Sequence, residues 1–520
     1  MLFPKAGVDA VKGLIPGVNF AEWCKIIGQK PTHALWLLFP IVNIFIFAGM
    51  AVDLVRSFGK LQFKHTAAAV MYAPAAFFKL ASNPNDKYVG STLTLEADYL
   101  KSVEDAKAAG DQYKLKALEE KNPYKKSVLR EWTESIVFAV FAAAFIRMFL
   151  IEAYVIPTPS MEGSLNVGDF LFVSKAHYGI RTPMTIAMIP LLHNQIPIIN
   201  KESYLKKPKL PYWRFPAIEK IEAGKHIVFN WPVGDSVYIT GQRSYFVSQI
   251  QRQPEYMQGD RELETKVKNN DYVVRPIDKK DHYIKRCVAG PGDSLKIIDK
   301  QLYINGKAVK NPQHLQFLYQ VQLPQNVSIN AKKLDQWGID IGDNAMGGRD
   351  LFSMGYGVLF LDGDQVDKIK SLDPGVIIEA IPQKPEPTKL FPFDTLIGKS
   401  WSVDNYGPIW VPKAGATTPL NVTNLAFYSR IIQVYEKNTM EVKGQDIFIN
   451  GKKTDNYTFK QDYYWAMGDN RHNSEDSRAW GYVPHDHIVG KPLFIWFSTK
   501  EGNIRNGINW DRIFRSASKD

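Results

Sequence analysis

Two long apolar runs stand out against a mixed pattern in the first third of the chain. Residues 135–151 (SIVFAVFAAAFIRMFLI) are 17 positions with one charge, Arg147, and residues 35–52 (LWLLFPIVNIFIFAGMAV) are 18 positions with none. A helix rising ~1.5 Å per residue needs roughly 20 residues to cross ~30 Å of hydrocarbon, so both runs predict spanning helices, the second despite Pro40 and Asn43. A third run, 66–78, holds 13 residues including Pro74, a length that fits a re-entrant or interfacial segment as well as a span. From 83 to 131 the pattern turns polar. Leu95–Lys121, rich in Ala, Glu, Lys and Leu, predicts a solvated helix stopped by Asn122-Pro123.

Beyond residue 152 the period shortens to two. Val167–Val173 and Lys225–Phe229 are short strand patterns bounded by Gly, Asp or Pro. Gln301–Lys307 (QLYINGK) and Asp446–Lys452 (DIFINGK) are two copies of an alternating strand closed by Asn-Gly, which predicts equivalent hairpins because both turn positions tolerate φ > 0. Further strand pieces, Gly357–Leu361 and Gly375–Ile378, fall in a long intervening stretch. The polar stretch 242–270 reads as helix or loop.

Composition changes this picture little. A chain of 520 residues with 45% hydrophobic and 22% charged positions is folded, not disordered, and has room for two or three domains. The net charge of +11 is spread along the whole chain without a finger, zipper or aromatic-basic motif, so it fits anionic lipid headgroups better than nucleic acid. Cys24 and Cys287 are the two cysteines, which excludes a Cys-rich metal site. The first 20 residues lack a continuous apolar core, so a cleavable leader is not expected. Lys121, Lys125, Lys126 and Arg130 precede the 135–151 run and place its near side in the cytoplasm, with everything after 152 outside. The basic loop 53–65 favours the cytoplasm too, which implies one upstream span and an outside N-terminus.

The candidate chemistry sits just past the 135–151 run. Eight residues separate the 135–151 run from Ser160, which lies in Ile156-Pro157-Thr158-Pro159-Ser160-Met161. Proline fixes its own φ and extends its predecessor, so Ser160 is held on a stiff segment at a set height above the bilayer. Tyr283-Ile284-Lys285-Arg286-Cys287-Val288-Ala289-Gly290-Pro291-Gly292-Asp293 and Met467-Gly468-Asp469-Asn470-Arg471-His472-Asn473-Ser474-Glu475-Asp476-Ser477-Arg478 follow far downstream. With Pro159-Ser160-Met161 they resemble, in order, the signature boxes of bacterial type I signal peptidases, the membrane-bound Ser/Lys proteases of the leader peptidase family.

The resemblance implies a mainly β catalytic domain of the Ser/Lys signal-peptidase type, with N-terminal transmembrane helices and a large β-rich insert. It implies Ser160 as nucleophile and Lys285 as general base. A serine hydroxyl needs such a base, and a lysine serves only when neutral, which burial among apolar neighbours allows. It implies Thr158 in the oxyanion hole beside the Ser160 N–H, and Ser474 hydrogen-bonded to the Lys285 amine. Asp476 and Arg478 would form a structural ion pair, and Gly468, Asp469 and Asn470 a tight turn. Tyr154, Ile156, Leu165 and Ile284 would line shallow pockets for small side chains before the cut.

No cofactor and no metal are expected. The implied partners are exported preproteins carrying signal peptides, the lipid bilayer and the secretion translocon, in a multi-pass protein of the bacterial cytoplasmic membrane. The segments expected are a membrane-associated region 1–82, a cytoplasmic helical linker 83–134, a transmembrane anchor 135–151, and catalytic parts 152–310 and 444–520 around an inserted subdomain 311–443. A smaller excursion is expected at about 183–221.

Other readings are weaker. Gly292-Asp293-Ser294-Leu295 spells an esterase motif, but here it belongs to the turn after the Lys box, and Asp486 and His487 are adjacent, not spaced as Asp-x-x-His. No Ser-x-x-Lys begins at Ser160. An inactive scaffold of the same fold would not need Ser160, Lys285 and Ser474 together.

Overall fold

A computed structural model describes residues 2–38, 42–185, 187–194, 196, 202–241, 244–252, 254–339 and 353–518. The chain divides into two compact units, Met1–Phe141 and Ala142–Asp520.

The first unit is helical: α1 (Val18–Ile27), α2 (Val42–Ser57), α3 (Phe63–Ser82), α4 (Thr92–Ala108), α5 (Gln112–Glu120) and the start of α6 (Val128–Phe149). Its core joins Trp23 and Ile27 of α1 to Met50 and Leu54 of α2 and Leu80 of α3. The apolar run 35–52 is not one helix. A 3-10 turn ends at Leu38, residues 39–41 lie outside the described set, and α2 begins at Val42. The third apolar run lies within α3, which is interrupted by a non-helical Tyr72 just before Pro74. The expected solvated helix divides in two at Gly110 (φ 65°), after which the Asp111 side chain accepts from the Lys114 N–H and caps a fresh start. Among the described residues one helix, α6, is apolar and long enough to cross a membrane, and none of its most apolar stretch is buried.

The second unit is mainly β. Its largest sheet is built from β1 (Ile151–Val155), β2 (Asp169–Ser174), β3 (His226–Asn230), β4 (His282–Ala289), β5 (Tyr463–Met467), β6 (Val483–Pro484) and β7 (Ile488–Ser498), in the order β1-β2-β7-β3-β4-β5-β6. Every pairing is antiparallel, with Tyr154 opposite Leu171, Ile227 opposite Lys285 and Met467 opposite Arg286. One layer of side chains packs Ile156, Met161, Leu165, Leu171, Val228 and Ile495 together. Another packs Phe229, Trp231, Cys287 and Trp480.

Both Asn-Gly hairpins form, at Gln301–Ile304/Lys307–Ala308 and Asp446–Ile449/Lys452–Lys453. Asn305, Gly306, Asn450 and Gly451 all take positive φ, the backbone that a two-residue hairpin turn demands. The stretch 311–443 contributes to two cores. Strands Phe317–Gln322, Tyr356–Leu361 and Ile377–Ala380 form a small sheet around Val321, Leu334 and Leu359, with residues 340–352 outside the described set. Residues 390–435 instead pack Phe391, Tyr406 and Ile432 against Trp465 and Tyr482. The excursion at about 183–221 includes residues outside the described set. Its described part is held by isolated bridges, and Arg214 donates to the Ile488 carbonyl at 2.6 Å.

Candidate active site

β1 leads out of α6 and runs into Ile156-Pro157-Thr158, where Thr158 is extended (φ −134°, ψ 150°) and a 3-10 turn Pro159–Met161 presents Ser160. Proline at the first position of that turn forfeits no hydrogen bond, since the first N–H groups of a helical turn have no internal partner. Lys285 lies on β4, 3% exposed, and its Nζ is 2.5 Å from Ser160 Oγ. Thr158 Oγ1 stands 3.5 Å from the same Oγ.

The turn after β5 holds Ser160 from behind. The Asn470 N–H donates to the Ser160 carbonyl at 3.2 Å. Gly468 comes so close that a Cβ there would lie 2.4 Å from the Ser160 carbonyl oxygen and 2.2 Å from Ser474 Oγ. Those two oxygens are therefore under 5 Å apart. Ser474 Oγ is buried and has no hydrogen-bond partner among the described residues, so it stands beside the Ser160–Lys285 pair without the bond to Lys285 that the resemblance implied.

Burial is the main force on Lys285. Desolvation of the ammonium pulls its pKa down to about 8, against the opposing pull of the Asp476, Glu475 and Asp469 carboxylates. Two of those carboxylates, Asp476 and Asp469, are paired with cations of their own. Asp476 is fully buried, yet Arg478 grips it through Nε at 2.9 Å and Nη2 at 2.7 Å and holds its pKa below the usual range. Asp469 is also fully buried. Its desolvation is overcome by Arg286 at 2.8 and 2.7 Å, with Ser164 Oγ donating at 2.6 Å and His226 Nε2 at 3.4 Å. Asp469 is therefore the hub that ties β3, β4 and the Ser160 loop to the final box, as well as part of a turn.

The hydroxyl and amine open onto a cleft walled by Tyr154, Ile156 and Pro157 on one side and by Tyr283 and Ile284 on the other. Leu165, expected in that wall, is packed in the core beneath it. Trp231 and His282 also line the cleft and were not anticipated. Tyr154 is set by a charged cluster that the sequence reading missed: its OH donates to Glu152 at 2.6 Å, and Glu152 in turn holds Arg147 and Lys175, each at 2.8 Å. Burial alone would raise the Glu152 pKa, but Lys175, His282 and Arg147 outweigh it and hold the carboxyl well below its usual range. Arg147, conspicuous as the single charge in an apolar run, was the available clue. Among the described residues no group of three or more His, Cys, Asp or Glu could hold a metal ion.

Comparison with known proteins matches residues 129–355 and 428–497 to the family described as signal peptidase, peptidase S26. Residues 11–91 match a separate family of unknown function. The chain is 24% identical over 404 residues to the signal peptidase I of Buchnera aphidicola subsp. Baizongia pistaciae, covering 75% of this chain and 84% of that protein. It is 23% identical over 402 residues to the signal peptidase I of Helicobacter pylori strain J99, covering 74% and 90%. A shorter match, to the signal peptidase I of Aquifex aeolicus, reaches 50% identity over 44 residues, 8% of this chain and 17% of that protein.

Proposed function

The chain belongs to the signal peptidase family, peptidase S26, and is a serine endopeptidase that removes signal peptides from preproteins; within that activity we propose that Ser160 is the nucleophile and Lys285 the general base. The carrying observation is the 2.5 Å approach of a buried, pKa-depressed amine to a serine hydroxyl at the floor of an apolar cleft. Neutral Lys285 takes the proton from Ser160 Oγ as Oγ attacks the scissile carbonyl. The oxyanion is bound by the Ser160 N–H and the Thr158 hydroxyl, donors of a kind often worth ~3 kcal/mol each. Protonated Lys285 gives its proton to the departing amine, and the acyl group left on Ser160 falls to a water that Lys285 deprotonates in turn. Ser474 positions the amine during this exchange, and its unpartnered hydroxyl is free to do so.

Aliphatic walls at Ile156 and Ile284, closed by Tyr154, accept small side chains at the first and third positions before the cut. A polar side chain there would be desolvated without a partner. The catalytic parts are 152–310 and 444–520, with 311–443 inserted between them. α6 is the anchor, its basic flank lies in the cytoplasm, and residues after 152 face outward, where preproteins and the secretion translocon are met. The test is a set of preproteins with Ala, Ser, Leu or Phe at those two positions, mixed with the purified chain and its Ser160→Ala variant. Ser160→Ala should leave the fold intact and abolish cleavage, and Leu or Phe should be refused. Cleavage by Ser160→Ala would remove the nucleophile assignment, and equal cleavage of Leu and Ala substrates would remove the pocket assignment alone.

A further inference from the structure

In the N-terminal unit, α3 is two arms rather than one rod. A straight helix over Phe63–Ser82 would put its ends ~30 Å apart at ~1.5 Å per residue. Yet Lys60, just before α3, is 2.5 Å from Asp86, just after it. Lys5 Nζ reinforces the closure, donating to the carbonyls of Leu80, Asn83 and Asp86 at 3.0, 2.6 and 3.3 Å. The chain makes this return by bending at Tyr72, whose φ of −154° and ψ of 79° leave the helix two residues before Pro74.

Both feet of the bend therefore sit together on a charged base. That base also carries Arg56 paired with Glu96, and the Val89 N–H donates to the Ser57 carbonyl at 2.9 Å. The apex is different. Val70, Met71 and Tyr72 are exposed there, Met71 at 85%, and the unburied first half of α2 adds Ile44, Phe45 and Phe47. Each arm, about 15 Å long, reaches through roughly one leaflet of a ~30 Å hydrocarbon layer and no further.

The base is tied to the membrane-crossing helix. Arg130, on the basic flank of α6, donates to the carbonyl of Leu61 at the foot of α3 with Nη2 at 2.8 Å. The basic residues around the same feet, Lys64 among them, suit anionic headgroups, while the exposed apex offers mainly apolar groups and a single hydroxyl, that of Tyr72. We propose that residues 2–91 form a wedge that dips its α3 apex into the acyl chains of the cytoplasmic leaflet and returns to the cytoplasm, without crossing. The N-terminus and Lys87 then share the side of the Lys121–Arg130 flank, in place of the upstream span and outside N-terminus expected from hydropathy. This inference rests on α6 crossing the membrane with its basic flank inside.

The test uses the full chain with single added cysteines, the native Cys24 and Cys287 being fully buried. A fluorophore on Met71→Cys, reconstituted in vesicles of anionic and acyl-brominated phospholipid, should lose most of its emission, and the same fluorophore on Lys87→Cys should not. In spheroplasts, a membrane-impermeant maleimide should reach Ala10→Cys and Lys87→Cys only after the membrane is permeabilised. Labelling of Ala10→Cys from outside would show a crossing, and an unquenched Met71→Cys would show that water or protein covers the apex. Either result overturns the wedge. Lys310→Cys reads the side of the catalytic unit separately, so a wrong orientation there is distinguishable from a failed wedge.

Discussion

Lys285 illustrates how a site is stored as an energetic cost. A group whose folded pKa lies near 8 against an ordinary value near 10.4 has its charged form disfavoured by the fold. The unfolded chain binds the extra proton between those two values, so stability rises with pH across that window and the full penalty applies below it. Lys285→Met should therefore stabilise the protein by about 3 kcal/mol at pH 7 while eliminating catalysis. Thermal melts should show a raised Tm that converges with wild type above about pH 10.5, and a lower Tm at pH 7 would mean the amine is not strained. Ser160 and Lys285 were legible in the sequence because their neighbours in the boxes are distinctive, whereas a lone lysine on a strand is ordinarily solvent-facing. Asp469 was legible only as a turn residue. Its second role needs Arg286, His226 and Ser164, which lie 183, 243 and 305 positions away, and nothing local announces them.

At the scale of elements, the turn between β5 and the final box works because Gly468 has no side chain. Gly468→Ala should displace Ser474 and the Ser160 carbonyl together, so kcat should collapse while the melting curve moves modestly; an active alanine variant would mean the turn can shift without consequence. β1 depends on Glu152 in a comparable way. Glu152→Ala strands Lys175 and Arg147 beside a buried gap, and breaking a buried pair commonly costs 3–5 kcal/mol, so a fall of about 3 kcal/mol is expected at pH 7. The folded carboxyl titrates below its unfolded range, so this stabilisation is present above about pH 4.5 and fades in acid. The gap between variant and wild type should narrow there, and denaturant melts at pH 7 and pH 3.5 would reveal a gap that does not. The Asn-Gly hairpins were legible because turn chemistry is local. The division of Leu95–Lys121 was less so, since Gly110 and Asp111 look like ordinary surface residues until one adopts φ > 0 and the other caps. Hydropathy alone did not show that 35–38 are 3-10 and 42–52 α-helical, because an apolar run does not say which helix its residues form.

At the scale of the molecule, Ser160, Lys285 and Ser474, proposed to act together, come from segments separated by 125 and 189 positions, and the sheet order β1-β2-β7-β3-β4-β5-β6 is what brings them together. The family match leaves residues 356–427 unmatched, yet that stretch is not a loose appendage. Asp404, within it, accepts from His472 at 2.6 Å, while His472 Nδ1 receives the N–H of Leu318 from the matched part at 3.1 Å, so both brace the final box. Period-two alternation revealed strands in 311–443 but could not reveal which core each would join, because a strand pattern names an inward face and not its partner. The proposed mechanism turns on one proton transfer, from Ser160 to Lys285. The pH dependence of kcat/KM for a preprotein substrate tests it most directly. The expected profile rises through an acid limb with a midpoint at about pH 8, set by the depressed amine, and activity vanishes in Lys285→Arg, whose guanidinium keeps its proton. A flat profile from pH 5 to 9, or an active Lys285→Arg enzyme, would contradict it.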